Sequence, residues 1–168
     1  MNLKEKIQQD LNAALKEKKE LEISVLRMCS AFILNKEKEK RYKIGKAESE
    51  ISEKELIKKS QLTDEETIEV ISSEAKKRKE AIEQFEKGGR QELADKEKKE
   101  LLILQRYLPE QLSEEEIKKM AEEIIKKTGA KEPKDMGRVM AELMPKIKGK
   151  AEGSLVSKIV KELLTPEE

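Results

Sequence analysis

The chain has 168 residues, of which 43% are charged and 36% hydrophobic, and its 37 basic and 36 acidic side chains leave a formal net charge of +1. Such a balanced total favours no particular class of partner, although charges of one sign can still gather on one face. There is no histidine, which excludes Ser-His and Cys-His dyads and every histidine-containing metal site. We expect no catalytic residues, no metal and no cofactor.

The cysteine content and the short apolar runs indicate the compartment. The single cysteine, Cys29, cannot form an internal disulfide, as is usual in a reducing cytoplasm. The N-terminal lysines are not followed by an apolar core, so we expect no signal peptide, and the longest aliphatic run, Leu101 to Leu104, is too short to span a bilayer. These features predict a cytoplasmic protein without a membrane partner. Abundant Glu and Lys beside few Asn and Gln are typical of a thermophilic source.

The first two helices are predicted from periodicity alone. Apolar residues recur at spacings of three and four from Leu3 to Leu15, and again from Leu21 to about Phe32, as one-sided amphipathic helices require. Cys29 falls on the second stripe, where a buried thiol behaves as a small apolar group. We expect a structural role for it.

A highly charged segment, residues 36–60, follows the second helix. Its charges alternate in sign, and its apolar residues are too sparse to define a core. We expect a solvated helix or a flexible insert here, and we place no functional site in it.

Two further helices complete the N-terminal part. A capping box at Thr63 and Glu66 begins the third helix, and Gly88-Gly89 ends it. The fourth carries leucines from Leu93 to Leu108 and ends before Pro109, because a proline inside a helix costs about 3 kcal/mol or more. The sequence therefore predicts an N-terminal helical domain over residues 1–109, folded as an antiparallel bundle or hairpin array.

Residues 110–168 are expected to form a small three-helix domain. A capping box at Ser113 and Glu116 begins its first helix, which ends at Thr128-Gly129. The second helix begins near Pro133 and is expected to end at Pro145, and Ser154 is expected to cap the third. The buried stripe of the second helix is predicted to comprise Met136, Val139, Met140 and Leu143. Together the two parts predict an all-α protein.

The stretch from Asp135 to Ser154, DMGRVMAELMPKIKGKAEGS, departs from this pattern because it combines three glycines with several basic residues. From Lys134 to Lys161 there are seven basic and three acidic residues. Lysines beside a glycine backbone can contact phosphates without reading base sequence. The stretch contains no aromatic residue, so shape recognition of a folded RNA is favoured over base stacking. The candidate nucleic-acid-binding residues are Arg138, Lys146, Lys148, Gly149, Lys150 and Gly153.

The same residues also have a structural interpretation. Gly137 can permit close packing against a neighbouring element, and Gly149 and Gly153 can supply positive backbone dihedrals for a turn. Exposed lysines are ordinary in so charged a protein. Both interpretations stay open on these grounds.

Two segments carry a family resemblance. AIEQFEKGGRQELADKEKKELLILQRYLPEQLSEEEI and DMGRVMAELMPKIKGKAEGSLVSKIVKELL resemble the GatB/YqeY family, and the C-terminal part is similar to the tail domain of the B subunit of the tRNA-dependent glutamine amidotransferase. The shared positions are Gly137, Val139, Met140, Gly149, Lys150, Ala151, Glu152 and Val156. Lys150 stands where the family often has Arg, so a bidentate guanidinium contact is not available there, and Glu152 stands where it often has Asp.

The resemblance implies a link to tRNA and to amide transfer, because the tail domain in that enzyme helps hold the tRNA substrate. It also implies kinship to carbon-nitrogen ligases that use glutamine as the amido-nitrogen donor, but it supplies no catalytic site. The preferred function is therefore a non-catalytic, tRNA-associated accessory protein in translation. The alternatives are a helical module that binds an amidotransferase subunit or another translation factor, and glutamine-dependent ligase activity in this chain alone.

Overall fold

The computed structural model describes residues 1–165 and contains, within them, eight α-helices, one short 3-10 helix and no strand. The elements are α1 (Leu3–Glu17), α2 (Glu20–Ala47), α3 (Glu53–Ser60), α4 (Asp64–Lys87), α5 (Gln91–Gln105), α6 (Glu114–Thr128), the 3-10 helix (Pro133–Asp135), α7 (Met136–Ile147) and α8 (Gly153–Leu164). The predicted all-α fold is confirmed. The chain divides into two compact units, Met1–Leu108 and Pro109–Glu168, here called unit 1 and unit 2.

Unit 1 contains α1 to α5. Helix α1 packs along α2, and α4 packs along α5 as a helical hairpin, with α2 also contacting α3, α4 and α5. The main core consists of Ile7, Leu11, Val25, Leu26, Cys29, Ile33, Ile71, Ile103, Leu104 and Tyr107. Cys29 is therefore buried, as its place on the apolar stripe predicted. Burial raises the pKa of its thiol to about 11, so thiolate is scarce near neutral pH.

Helix ends in both units follow local capping rules. Thr63 and Glu66 form the expected capping box at α4, and Ser113 and Glu116 form the expected one at α6. Gly129 ends α6 in the left-handed conformation, which glycine adopts without a steric cost.

The charged segment after residue 36 is largely helical. Helix α2 continues without a break to Ala47, and α3 follows a short connection. The extension is held by ion pairs to distant residues, Lys4 with Glu37 at 2.7 Å and Lys40 with Glu66 at 2.7 Å. Ionic contacts thus hold a segment that has few apolar residues.

Unit 2 is built from α6, α7 and α8, which all pack against one another. Its buried core comprises Ile117, Ala121, Ile124, Ala130, Val139, Leu143, Ile147, Val156, Ile159, Val160 and Leu164. On α7, Val139 and Leu143 are fully buried, whereas Met136 and Met140 are partly buried and pack against this core.

Two expected helix limits in unit 2 are wrong. Pro145 lies inside α7, which continues to the fully buried Ile147. The proline lacks an N–H for the carbonyl of Ala141, but Ala141 is exposed, so water can solvate that carbonyl. The N-cap of α8 is Glu152, whose side chain makes no capping hydrogen bond to the helix, and Ser154 is already the second helical residue.

Candidate nucleic-acid interface

A tight turn, residues 148–152, connects α7 to α8. Together with the adjoining helix ends it forms the segment 146–153, here called the basic turn. Gly149 has φ +76°, in the left-handed region that residues with a Cβ avoid. The backbone N–H groups of Lys150 and Ala151 both donate to the carbonyl of Ile147, at 2.8 and 3.2 Å. Since Ile147 is fully buried, these bonds fasten the turn to the core of unit 2.

The segment before α6 braces the turn from outside. Gln111 Nε2 donates to the carbonyl of Gly149 at 2.8 Å and to that of Pro109 at 2.9 Å. The backbone N–H of Leu112 donates to the carbonyl of Lys150 at 2.8 Å. The turn is thus preorganised by hydrogen bonds between segments that are far apart in sequence, since Gln111 and Gly149 are separated by 38 positions. No local sequence pattern marks Gln111 for this role.

Three lysines project from this fixed backbone. Lys146, Lys148 and Lys150 are all exposed. Within residues 1–165, Lys146 and Lys150 have no carboxylate oxygen within 4.0 Å, whereas Lys148 takes part in an intramolecular contact. The turn therefore presents positive charge that the carboxylates of residues 1–165 do not fully neutralise.

Of the three acidic residues between Lys134 and Lys161, Asp135 and Glu142 accept hydrogen bonds from groups outside the basic turn. Asp135 accepts hydrogen bonds from the backbone N–H groups of Lys131 and Glu132 at 3.1 and 3.3 Å, and these bonds lower the pKa of its carboxyl. Glu142 accepts from Lys127 Nζ at 2.7 Å, and that bond, followed by the charges of Lys127 and Lys146, lowers its pKa. Glu152, by contrast, places a carboxylate at the N-cap of α8. An anion bound at the turn would therefore depend on the lysines more than on the helix N-terminus.

Arg138 is not part of the basic turn. Its Nη1 donates to the carbonyl of Thr128 at 3.5 Å, at the C-terminal end of α6. It precedes Lys146 by eight positions on one helix, which is about 12 Å along the axis. Of the six candidate residues, five thus lie in the basic turn and Arg138 lies near the other end of α7.

The glycines differ in what they require. Gly149 has the positive φ that was predicted for a turn glycine, so its backbone conformation favours glycine at this position. Gly153 does not have a positive φ, and a Cβ there would meet Met144 Cε at an ordinary 3.6 Å. A Cβ on Gly137 would meet nothing within 4 Å, so close packing does not explain that glycine.

Metal-binding clusters and membrane-spanning helices are both absent from the described residues. Among residues 1–165, no group of three or more His, Cys, Asp or Glu side chains is placed to hold a metal ion. No helix in that part of the chain is long and apolar enough to cross a membrane.

Comparisons with known proteins identify a family. A family model described as Yqey-like protein matches residues 34–164. An uncharacterized protein of Schizosaccharomyces pombe is 42% identical over 65 residues, which are 39% of this chain and 53% of that protein. The match therefore spans about half the length of this curated relative.

Proposed function

Because the chain belongs to the YqeY-like protein family, we propose that it is a non-catalytic accessory protein that associates with tRNA through its basic turn. Lys146, Lys148 and Lys150 would contact phosphates of the RNA. The observation that carries this proposal is the bracing of the turn by Gln111 and Leu112, which holds exposed lysines on a fixed backbone.

The type of contact follows from the side chains. An ammonium group is a compact charge with three donors, so it attracts a phosphate without the geometric selectivity of a guanidinium fork. Contacts of this kind fix where the protein lies on an RNA and carry no base information. Unit 2 is therefore proposed to recognise the fold of a tRNA and not its sequence.

Cysteine-based release of ammonia from glutamine is not supported in this chain alone. Release of ammonia from glutamine needs an activated nucleophile. The only cysteine is buried, with its thiol pKa raised to about 11, and there is no histidine to act as its base. The proposal therefore places any carbon-nitrogen ligase activity in a partner enzyme, and purified protein is expected to release no ammonia from glutamine.

The competing function is a helical module that binds an amidotransferase subunit or another translation factor. It is favoured by large apolar side chains in solvent on unit 1, such as Leu102 at 61% and Leu34 at 47% exposed. On this alternative, lysine substitutions in the basic turn leave RNA binding unaffected, and capture of a protein partner depends on unit 1.

Fluorescence anisotropy with labelled bulk tRNA tests the proposal. The variant Lys146→Glu/Lys148→Glu/Lys150→Glu is compared with Lys16→Glu/Lys96→Glu/Lys99→Glu, which makes the same change in net charge on exposed positions of α1 and α5. The first variant is expected to lose most of its tRNA affinity and the second to keep it. Equal losses in both variants, or none in either, would reject the basic turn as the binding site.

A further inference from the structure

The alternating charges after residue 36 separate onto different faces once α2 is formed. Lys38, Arg41, Tyr42, Gly45 and Lys46 follow the spacing i, i+3, i+4, i+7, i+8, which places them on one side of a helix. With Leu56 of α3 they line an open depression of about 510 Å³. A segment of mixed sign in sequence therefore produces a basic face in three dimensions, here called the α2 basic face.

Among the described residues, no carboxylate lines this depression. The neighbouring Glu37 is buried and paired with Lys4, and Glu39 pairs with Lys36 at 3.0 Å. The acidic residues of the α2–α3 connection, Glu48 and Glu50, line a separate depression together with Glu55. The positive charge of the α2 basic face is thus not cancelled where a ligand would lie.

The three cations of the face are available to a ligand. Within residues 1–165, Lys38 and Lys46 have no carboxylate oxygen within 4.0 Å. Arg41 Nε donates to the buried Ser60 Oγ at 3.1 Å, and that bond orients the guanidinium group. From Lys38 to Lys46 the cations extend about 12 Å along the helix axis.

An aromatic ring lies in the middle of these cations. Tyr42 is 72% exposed, although a tyrosine ring usually buries much of its apolar surface. Gly45, one turn away, lets the Leu56 side chain approach to 3.6 Å of where a Cβ would stand, so α3 forms one wall of the depression. A ring flanked by cations in an open groove is the arrangement that stacks nucleobases and holds their phosphates.

We propose that the α2 basic face binds an unpaired stretch of RNA, with Tyr42 stacked on a base and Lys38, Arg41 and Lys46 contacting the adjacent phosphates. The face supplies the aromatic residue that the basic turn lacks. The choice of RNA over other polyanions rests on the proposed function. An acidic peptide would use the cations and leave the exposed Tyr42 without a role.

The test measures anisotropy of a labelled oligouridine of about twelve nucleotides. Tyr42→Ala is expected to weaken binding about 5- to 140-fold, because stacking on one aromatic ring is worth about 1–3 kcal/mol per base. Tyr42→Phe keeps the ring and is expected to bind like the wild type. Quenching of tyrosine fluorescence on binding should disappear in Tyr42→Phe, since the other tyrosine, Tyr107, is buried.

The charge contribution is tested with Lys38→Glu/Lys46→Glu. This variant is expected to lower the log-log salt slope of oligouridine binding by about 1.4, because each single-strand phosphate that a lysine neutralises adds about 0.7 to the slope. The matched control Lys16→Glu/Lys96→Glu should keep the wild-type slope. Circular dichroism verifies that every variant is folded.

Failure of this proposal can be separated from failure of the proposed function. Lys146→Glu/Lys148→Glu/Lys150→Glu should lose tRNA affinity but keep oligouridine binding. Wild-type oligouridine affinity in Tyr42→Ala would overturn the proposal even if the basic turn binds tRNA. Competition by poly-glutamate as effective as that by unlabelled oligouridine would also overturn it, in favour of an acidic protein ligand.

Discussion

Lys4 Nζ lies 2.7 Å from both carboxylate oxygens of Glu37, and this pair joins the first turn of α1 to the middle of α2. The side chain of Glu37 is only 5% exposed, whereas that of Lys4 is 46% exposed. The backbone N–H of Leu62 also donates to Glu37, at 3.3 Å. The Glu37 carboxylate therefore links the charged extension of α2 to both α1 and the segment that precedes α4.

Removal of the Lys4 ammonium should destabilise unit 1. Lys4→Ala leaves a buried carboxylate without its cation, and water can replace the half-exposed partner only in part. We expect a decrease of about 1–3 kcal/mol in the free energy of unfolding, measured by urea denaturation. Lys16→Ala, an exposed lysine on the same helix, is the control and should be nearly neutral. Combining Lys4→Ala with Glu37→Gln, which removes the charge but keeps an oxygen acceptor for the Leu62 N–H, should recover most of this stability, and no recovery would contradict the role given to the buried charge.

The reactivity of Cys29 should follow its burial. The thiol pKa rises from its ordinary 9.0 to about 11 in the folded protein, so the thiol contributes stability that is complete below about pH 9 and is lost as the pH rises toward 11. A thiol reagent should modify native protein slowly at pH 8 and denatured protein quickly. Rapid modification of native protein would mean that Cys29 is accessible and that its exclusion as a nucleophile is unsound.

Two glycine-to-alanine substitutions in unit 2 should have opposite effects. Gly149→Ala forces a Cβ into a left-handed backbone and should destabilise unit 2 by about 1–2 kcal/mol. Gly137→Ala places a Cβ in open space on a helix and should stabilise it by up to about 1 kcal/mol. Thermal denaturation of both variants measures the difference. A destabilised Gly137→Ala would show that this glycine has a packing role after all.

Gln111 should act on RNA binding as a positioning residue. Gln111→Ala removes the brace at Gly149 without changing any charge, so the affinity for tRNA should fall several-fold while the salt slope stays unchanged. Gln8→Ala, at an exposed amide on α1, is the control. A lowered slope in Gln111→Ala would instead indicate that the side chain changes how many phosphates the protein neutralises.

Local rules predicted most helices and several of their ends. The capping boxes at Thr63 and Ser113 and the left-handed Gly129 depend only on neighbouring residues, which is why the sequence reveals them. Pro145 was mispredicted as a helix end because its cost depends on solvation of the Ala141 carbonyl, and solvent exposure is a tertiary property.

The charged extension and the bracing of the turn could not be predicted in the same way. The partners of Glu37 and Lys40 lie 33 and 26 positions away, and the partner of Gln111 lies 38 away. Alternating signs in sequence also conceal the α2 basic face, because only the helical register brings Lys38, Arg41 and Lys46 together. Lys146, Lys148 and Lys150 were identifiable from composition, whereas their rigid backbone was not.

The most direct test of the central claim is the salt dependence of tRNA binding. Wild-type protein, Lys146→Glu/Lys148→Glu/Lys150→Glu and the matched Lys16→Glu/Lys96→Glu/Lys99→Glu control are titrated with bulk tRNA over a series of salt concentrations. If the three lysines each neutralise one phosphate, the log-log slope should fall by about 2 to 2.7 in the first variant, and the control should keep the wild-type slope. Equal slopes in all three proteins would contradict a tRNA site at the basic turn.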